Sequence, residues 1–152
     1  MAEQVDGVTV LKAHDLRVTA PRLAVLGVLE ELPAHVTVEQ VAEQARARIG
    51  ALSTQAVYDI MGAFHRAGLV RRIAPPDSPA LFETRVGDNH HHLVCRDCGR
   101  TVDVDCVTGK APCLTPASAA GFEIDETEIT FWGRCPDCAN PDPRKDARVR
   151  EP

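Results

Sequence analysis

The stretch His90-His91-His92-Leu93-Val94-Cys95-Arg96-Asp97-Cys98 combines three imidazoles with two thiols. A second cysteine pair of the same spacing follows at Cys135-Pro136-Asp137-Cys138. Two C-x2-C turns supply the four thiolates of a closed tetrahedral zinc site, which is structural. Imidazoles with nearby carboxylates suit a harder, more exchangeable divalent ion. The sequence therefore predicts one permanent metal and one conditional metal, as in a sensor.

The spacing of the four cysteines predicts how zinc organises this half of the chain. The 36 residues between Cys98 and Cys135 exceed the compact spacing of about 15–20 residues in zinc ribbons. Loop length costs little, since each doubling adds roughly 0.6 kcal/mol. We expect the zinc to hold the C-terminal strand against the first strand of its domain, and metal binding on the order of 10 kcal/mol to stabilise the fold.

The conditional site draws its candidate ligands from separate parts of the chain. In a strand, His90 and His92 project to one face and His91 to the other, so His90 and His92 form the natural chelating pair. Further candidate ligands are His35, Glu83 and Asp103. Such a site also resembles catalytic zinc and non-haem iron centres, which keep a position open for water or substrate. A metalloenzyme would leave the N-terminal half unexplained.

The N-terminal half is predicted to contain four helices and a hairpin. The helices are expected at 8–14, from the N-cap Thr19 to Pro33, from the Thr37/Gln40 capping box to Gly50, and from the N-cap Ser53 to Gly68. Their predicted inner residues are Val25, Val28, Leu29 and Leu32; Val38, Val41, Ala42, Ala45 and Ile49; and Val57, Ile60 and Phe64. Strands at 69–73 and 80–83 complete an order typical of a winged helix-turn-helix.

The outward residues at the start of the fourth helix are candidates for reading DNA. Thr54, Gln55, Tyr58 and Asp59 lie off the apolar stripe, and a recognition helix presents its N-terminal residues to the major groove. Arg17, Thr19 and Arg22 are candidates for phosphate or minor-groove contact. An ordinary solvated helical face is the alternative interpretation.

Composition and charge limit which functional classes of protein the chain can belong to. The net charge of −5 argues mildly against DNA binding, but residues 1–86 carry 9 basic and 10 acidic residues, and residues 87–152 carry 8 and 12. The acidity therefore lies mainly in the metal-binding half, and a local basic face remains compatible with DNA. No apolar run reaches the roughly 20 residues of a membrane span, and the first residues lack signal-peptide features. We expect a cytoplasmic protein with no membrane contact, in which cysteine pairs bind zinc rather than form disulfides.

The C-terminal half is predicted to be rich in strands, at 91–95, 101–105 and 122–132, with a short helix near 115–120. Residues 141–152 are polar and lack periodicity, so disorder is expected there.

Taken together, these positions resemble the ferric uptake regulator (Fur) family of metal-dependent repressors over about residues 8–139. The resemblance is carried by residues 16–22, 55–58, 82–83, 90–98 and 132–138. Residues 86–92, 103–106 and 111–114 are similar to the actinobacterial FurA subgroup, which is associated with peroxide-responsive repression of a catalase-peroxidase gene.

The resemblance implies an α+β homodimer: a winged-helix DNA-binding domain at 1–84, a hinge at 85–89 and a zinc-stapled α/β dimerisation domain at 90–140. One Zn2+ per subunit would be held by Cys95, Cys98, Cys135 and Cys138. One Fe2+ or Mn2+ per subunit would bind between the domains through His35, Glu83, His90, His92 and Asp103. The dimer would bind palindromic, AT-rich operators, and its own gene is a candidate target.

Asp103 stands where iron sensors of this family commonly have glutamate, and aspartate resembles the peroxide-sensing branch. Hydrogen peroxide would then oxidise His35 or His90 in the Fe(II) form, and repression would end. This is a single event rather than turnover, so the protein is not expected to be an enzyme. The alternatives are a repressor that senses the supply of iron, zinc, nickel or manganese without oxidation, and a thiol switch using Cys106 and Cys113.

Three departures from the family pattern accompany the resemblance. Asp59 is acidic where many members are basic. A further family metal site lacks its late-strand histidine, since residues 122–131 contain none. Cys106 and Cys113 are additional thiols, interpreted first as simple buried residues and otherwise as an auxiliary redox pair.

Overall fold

The computed structural model describes residues 6–75 and 77–141. It divides into two compact units between Val86 and Gly87. None of the described helices is long and apolar enough to cross a bilayer. The prediction of disorder at 141–152 falls, beyond Pro141, outside the described residues.

The first unit contains helices followed by a hairpin, in the predicted order. The helices are α1 (Gly7–Ala13), α2 (Ala20–Glu31), α3 (Val38–Ile49) and α4 (Thr54–Arg66). The strands β1 (Arg71–Ile73) and β2 (Leu81–Glu83) pair in antiparallel fashion. Both strands are shorter than predicted; at the start of β1, Leu69 and Val70 belong to the turn after α4.

The helix starts follow from side-chain caps that replace missing intrahelical bonds. The Thr19 hydroxyl accepts from the Arg22 N–H at the start of α2, and the Ser53 hydroxyl accepts from the Ala56 N–H at the start of α4. At α3, the Thr37 hydroxyl accepts from Gln40 N–H, and the Gln40 side chain accepts from Thr37 N–H. The predicted capping box is therefore confirmed.

The core of the first unit lies among α1–α4 and includes most of the predicted inner residues. Phe64 and Met61 are its largest fully buried members together with Leu11 from α1. One prediction was wrong: Ile49 is 40% exposed. It is the last residue of α3 before Gly50 turns the chain at a φ of 80°, so it lies beyond the last packed turn.

The second unit is a three-stranded sheet with a short terminal helix. Its strands are β3 (His90–Cys95), β4 (Thr101–Asp105) and β5 (Thr130–Gly133), in the order β4-β3-β5. β3 pairs antiparallel with β4 and parallel with β5, and α5 (Pro136–Ala139) follows β5. The predicted helix near 115–120 is not formed, and of the predicted strand at 122–132 only its end is extended.

Candidate metal centres and helix surface

The four knuckle cysteines are brought together by the parallel pairing of β3 and β5. Cys95 lies opposite Gly133 in the register, so both C-x2-C turns begin at the same end of these two neighbouring strands. The four sulfurs lie within 4.8 Å of one another, and the Cys98 and Cys135 sulfurs are 3.7 Å apart. Tetrahedral zinc with bonds of about 2.3 Å separates its sulfurs by about 3.8 Å. This four-cysteine cluster therefore fits structural zinc.

Electrostatics in the four-cysteine cluster favour a bound cation. The Cys135 N–H donates to the Cys95 sulfur at 3.3 Å, and this bond is the main reason that the pKa of Cys95 is lowered to about 6. Contact with the Cys135 thiol instead raises the pKa of Cys138. The thiolate is the form that binds metal. Four adjacent thiolates repel one another, so they require a cation such as Zn2+ between them.

The two knuckles are also joined by a charged contact beside the sulfurs. Arg134 donates to the Asp97 carboxylate at 2.6 Å and to the Cys138 carbonyl at 2.9 Å. Arg100 contacts Asp137 at 3.4 Å. These side chains hold the turns in place around the metal position, as outer-shell groups do in metal sites.

The first unit brings His35 and Glu83 together through a backbone bridge that the sequence pattern did not reveal. Val36 and Phe82 exchange two N–H···O bonds of 3.0 and 2.8 Å. This antiparallel bridge places the residues on either side of it opposite each other, so His35 Nε2 lies 3.2 Å from the Glu83 carboxylate. Glu83 is 1% exposed, and Arg71 approaches its other oxygen at 3.9 Å.

The second unit brings together the other three predicted ligands. His90 and His92 share one face of β3, and their rings meet edge to face with centroids 5.0 Å apart. Asp103 lies opposite His92 in the register, and its Oδ1 is 3.5 Å from His92 Nε2 and 3.8 Å from His90 Nε2. Both imidazoles are fully buried. As strand alternation predicts, His90 and His92 lie on the same face of β3.

Asp88 is a functional candidate that the sequence analysis missed. Its Oδ1 lies 2.8 Å from His90 Nδ1. A carboxylate accepting from Nδ1–H fixes the tautomer and leaves the Nε2 lone pair for a metal. The sequence signal that could have identified Asp88 is its position, two residues before the candidate ligand His90.

The two additional cysteines do not match their first interpretation. Cys106 and Cys113 are only half-buried, and neither forms a disulfide. Both lie beside His91, on the face of β3 opposite to His90 and His92.

The predicted DNA-reading residues lie on or near helix ends of the first unit. Gln55, Tyr58 and Asp59 are exposed on α4, whereas Thr54 is half-buried. The Tyr58 hydroxyl donates to Glu39 of α3 at 2.7 Å, and the Gln55 amide donates to Asp59 at 3.0 Å. The Tyr58 hydroxyl lowers the pKa of Glu39.

Before α2, the Arg22 guanidinium donates to the Arg17 carbonyl at 2.9 Å, while the Thr19 hydroxyl is the N-cap. The structure thus places Arg17, Thr19 and Arg22 together at the start of α2.

Comparisons with known proteins identify the family. The model of the ferric uptake regulator family matches residues 13–132. The chain is 51% identical over 129 residues to the transcriptional regulator FurA of Mycobacterium tuberculosis, covering 85% of this chain and 87% of that protein. It is 26% identical to the peroxide operon regulator of Bacillus subtilis, covering 85% and 88%.

The crystal structure of the Vibrio cholerae ferric uptake regulator superposes with a TM-score of 0.67 at 26% identity, covering 86% of this chain and all of that one. Matches of this extent, together with the four-cysteine cluster and the helical first unit, establish the family. The chain belongs to the ferric uptake regulator family of metal-responsive transcriptional regulators.

Proposed function

We propose that this protein is a homodimeric transcriptional repressor that binds DNA when charged with Fe2+ or Mn2+ and is inactivated by hydrogen peroxide. The observation that carries the proposal is that each unit presents buried imidazole nitrogens and a buried carboxylate oxygen. The first unit offers His35 and Glu83, and the second offers His90, His92 and Asp103. Imidazole and carboxylate donors suit Fe2+ and Mn2+ rather than a permanently held ion.

The five donors together would hold one ion that joins the units across a hinge at 85–89. An ion that binds one arrangement of the units more tightly than the others shifts the population toward that arrangement. Two DNA-binding units held at a fixed separation then match successive half-sites of a palindromic operator, for which the family predicts AT-rich sequence. Loss of the ion releases this constraint and lowers DNA affinity.

The surface of the first unit supports DNA recognition. Gln55 and Tyr58 are exposed near the start of α4, and Thr54 lies at its first position. Side chains at a recognition helix's N-terminus contact base edges, while residues around the start of α2, namely Arg17, Thr19 and Arg22, are suited to phosphates. The acidic Asp59 repels phosphate, but its bond to Gln55 holds that amide in one orientation.

Dimer formation is supported by an apolar face of the second unit. Leu93, Val102 and Phe131 are exposed and lie in register on neighbouring strands, so they form one patch. Trp132 is also exposed, and Arg96 lies over its ring. Regulators of this family function as dimers, and contiguous apolar surface of this kind marks protein interfaces.

Peroxide inactivation is supported by Asp103 as the carboxylate beside His92 and by the similarity to the peroxide operon regulator. Bound Fe2+ would activate hydrogen peroxide with no net change in its own oxidation state. One peroxide oxygen is inserted into the ring of His35 or His90, and the other leaves as water, so the imidazole loses two electrons. The modified ring binds metal poorly, and the event consumes the histidine. Control of a catalase-peroxidase gene, and of the protein's own gene, would follow.

The test combines footprinting with mass spectrometry on the full chain, with zinc retained in the four-cysteine cluster. The DNA upstream of its own gene and of a catalase-peroxidase gene should be protected with Fe2+ or Mn2+ and exposed after chelation. Peroxide should end protection only in the Fe2+ form, with one added oxygen on a peptide containing His35 or His90. The Mn2+ form serves as the matched control.

Two alternative outcomes distinguish the remaining functions. Unmodified histidines with the operator still bound after peroxide would indicate a sensor of metal supply. Loss of the peroxide response in the double variant Cys106→Ser/Cys113→Ser would indicate a thiol switch. Cys106 and Cys113 are half-buried free thiols, and this observation supports the thiol switch as the second candidate.

A further inference from the structure

A third group of metal-ligating side chains lies in the second unit, separate from the four-cysteine cluster. His91, Cys106 and Cys113 each offer one donor atom, and these atoms lie within 4.8 Å of one another. His90 and His92 face the opposite side of β3, because successive side chains alternate across a strand. The group therefore shares no residue with either set of ligands described above.

The sheet register explains how two of the three donors meet. His91 lies directly opposite Val104, and side chains opposite each other share a face. Cys106 is two residues beyond Val104, so it continues on that same face just after β4 ends. The alternation of the strand thus aims the His91 ring and the Cys106 sulfur in the same direction.

The loop after β4 returns the third donor. The Gly109 N–H donates to the Cys106 carbonyl at 3.2 Å, and the Asn89 side chain donates to the Lys110 carbonyl at 2.8 Å. These bonds turn the loop back toward the start of β3. The Cys113 sulfur then lies 3.3 Å from His91 Nε2.

The burial of the imidazole distinguishes this group from ordinary surface cysteines. His91 is 4% exposed, and a buried imidazole requires polar partners. Among the described residues, its Nδ1 has no hydrogen-bond partner, and its Nε2 contacts the Cys113 thiol. The sulfurs are half-buried and reduced, so an ion from solvent can reach them.

We infer that His91, Cys106 and Cys113 form a binding site for a thiophilic cation with a filled d shell, such as Zn2+ or Cu+. Tetrahedral zinc places sulfur and imidazole donors about 3.5–3.8 Å apart, close to the 3.3 Å between Cys113 and His91. Two thiolates balance the charge of Zn2+, and soft sulfur donors select Zn2+ and Cu+ over Fe2+ and Mn2+. A bound ion would fasten the loop at 106–113 to β3.

The test uses the full-length reduced protein with zinc kept in the four-cysteine cluster and Co2+ added as a spectroscopic probe. A cobalt ion bound to thiolates gives an intense near-ultraviolet charge-transfer band, whereas imidazole and carboxylate ligands give none. We expect this band to saturate at one Co2+ per chain and to be displaced by Zn2+. A parallel titration with Cu+ should show one equivalent competing for the same site.

Three single variants, one double variant and one control complete the design. Cys106→Ser, Cys113→Ser and His91→Ala should each weaken Co2+ binding at least tenfold, and the double cysteine variant should abolish the band. Ser118→Ala, five residues beyond Cys113 and outside the group, should leave the titration unchanged. Each variant must retain one zinc per chain, which shows that the four-cysteine cluster is intact. Because the readout is an absorption band, it does not depend on DNA binding.

Two results would overturn the inference. The first is a wild-type protein that gives no thiolate band with Co2+ and does not bind Cu+. The second is a band that persists in Cys106→Ser/Cys113→Ser, because the probe would then be bound by the knuckle thiolates instead.

Discussion

Asp88 offers the sharpest test of the proposed regulatory site, because it touches a ligand without being one. Its carboxylate lies 2.8 Å from His90 Nδ1, and His90 is fully buried. With the proton held on Nδ1, the Nε2 lone pair faces Asp103 at 3.8 Å. Replacing Asp88 with Ala removes that acceptor, so the proton can move to Nε2 and compete directly with the metal.

The expected loss follows from the values measured for such outer-shell partners. Removing one typically lowers metal affinity 10- to 100-fold, which corresponds to about 1.4–2.7 kcal/mol. This range agrees with the roughly 1.5–3 kcal/mol assigned to a hydrogen bond with a charged group. Asp88→Asn keeps an acceptor oxygen but loses the charge, so we expect it to fall between Asp88→Ala and the wild type.

The assay is a Mn2+ titration of zinc-loaded protein, followed by the paramagnetic resonance signal of the free ion. Asp125→Asn is the matched control, because Asp125 is an exposed aspartate of the same unit. It should bind Mn2+ as the wild type does. If Asp88→Ala also binds with unchanged affinity, His90 is not oriented by Asp88 for metal binding, and the proposed role of its Nε2 is wrong.

Three further predictions concern stability and the zinc site. Phe64→Ala should lower the free energy of unfolding by about 3–5 kcal/mol in urea titrations, because Phe64 is fully buried. Phe122 is exposed, so the control Phe122→Ala should change that free energy by no more than about 0.5 kcal/mol. A strong chelator should abolish the near-ultraviolet circular dichroism of Trp132 while most helical signal persists, because zinc supplies on the order of 10 kcal/mol to the second unit. Zinc release to a chelator should stay slow as the pH falls from 9.0 and accelerate as the pH falls through about 6. The pKa of Cys95 is lowered to about 6, so its thiolate, the form that binds zinc, persists down to that pH and is protonated below it.

Local chemistry made much of the first unit predictable. The caps at Thr19, Thr37 and Ser53 depend on hydrogen bonds spanning three residues, and each is present. The buried stripe of α4 follows from its helical period, including Val57, Ile60 and Phe64. The prediction that Ile49 is buried was wrong, because helical periodicity does not show where a neighbouring helix stops providing contacts.

Long-range pairing set the limit of prediction. The bridge between Val36 and Phe82, which places His35 beside Glu83, joins segments with no shared local pattern. The same holds for Cys113, which reaches His91 only through the turn that begins at Cys106. Between 107 and 129, the sequence suggested a helix and most of a long strand, but the chain forms neither there.

The parallel alignment of β3 with β5 also dictates an order of events during synthesis. Cys95 and Cys98 leave the ribosome well before Cys135 and Cys138, and a pair of thiolates alone provides half of a zinc coordination shell. The helical unit contains all of its own core residues and can fold while later residues are still being added. The second unit can close around zinc only after its last knuckle has been made, because its ligands come from both knuckles.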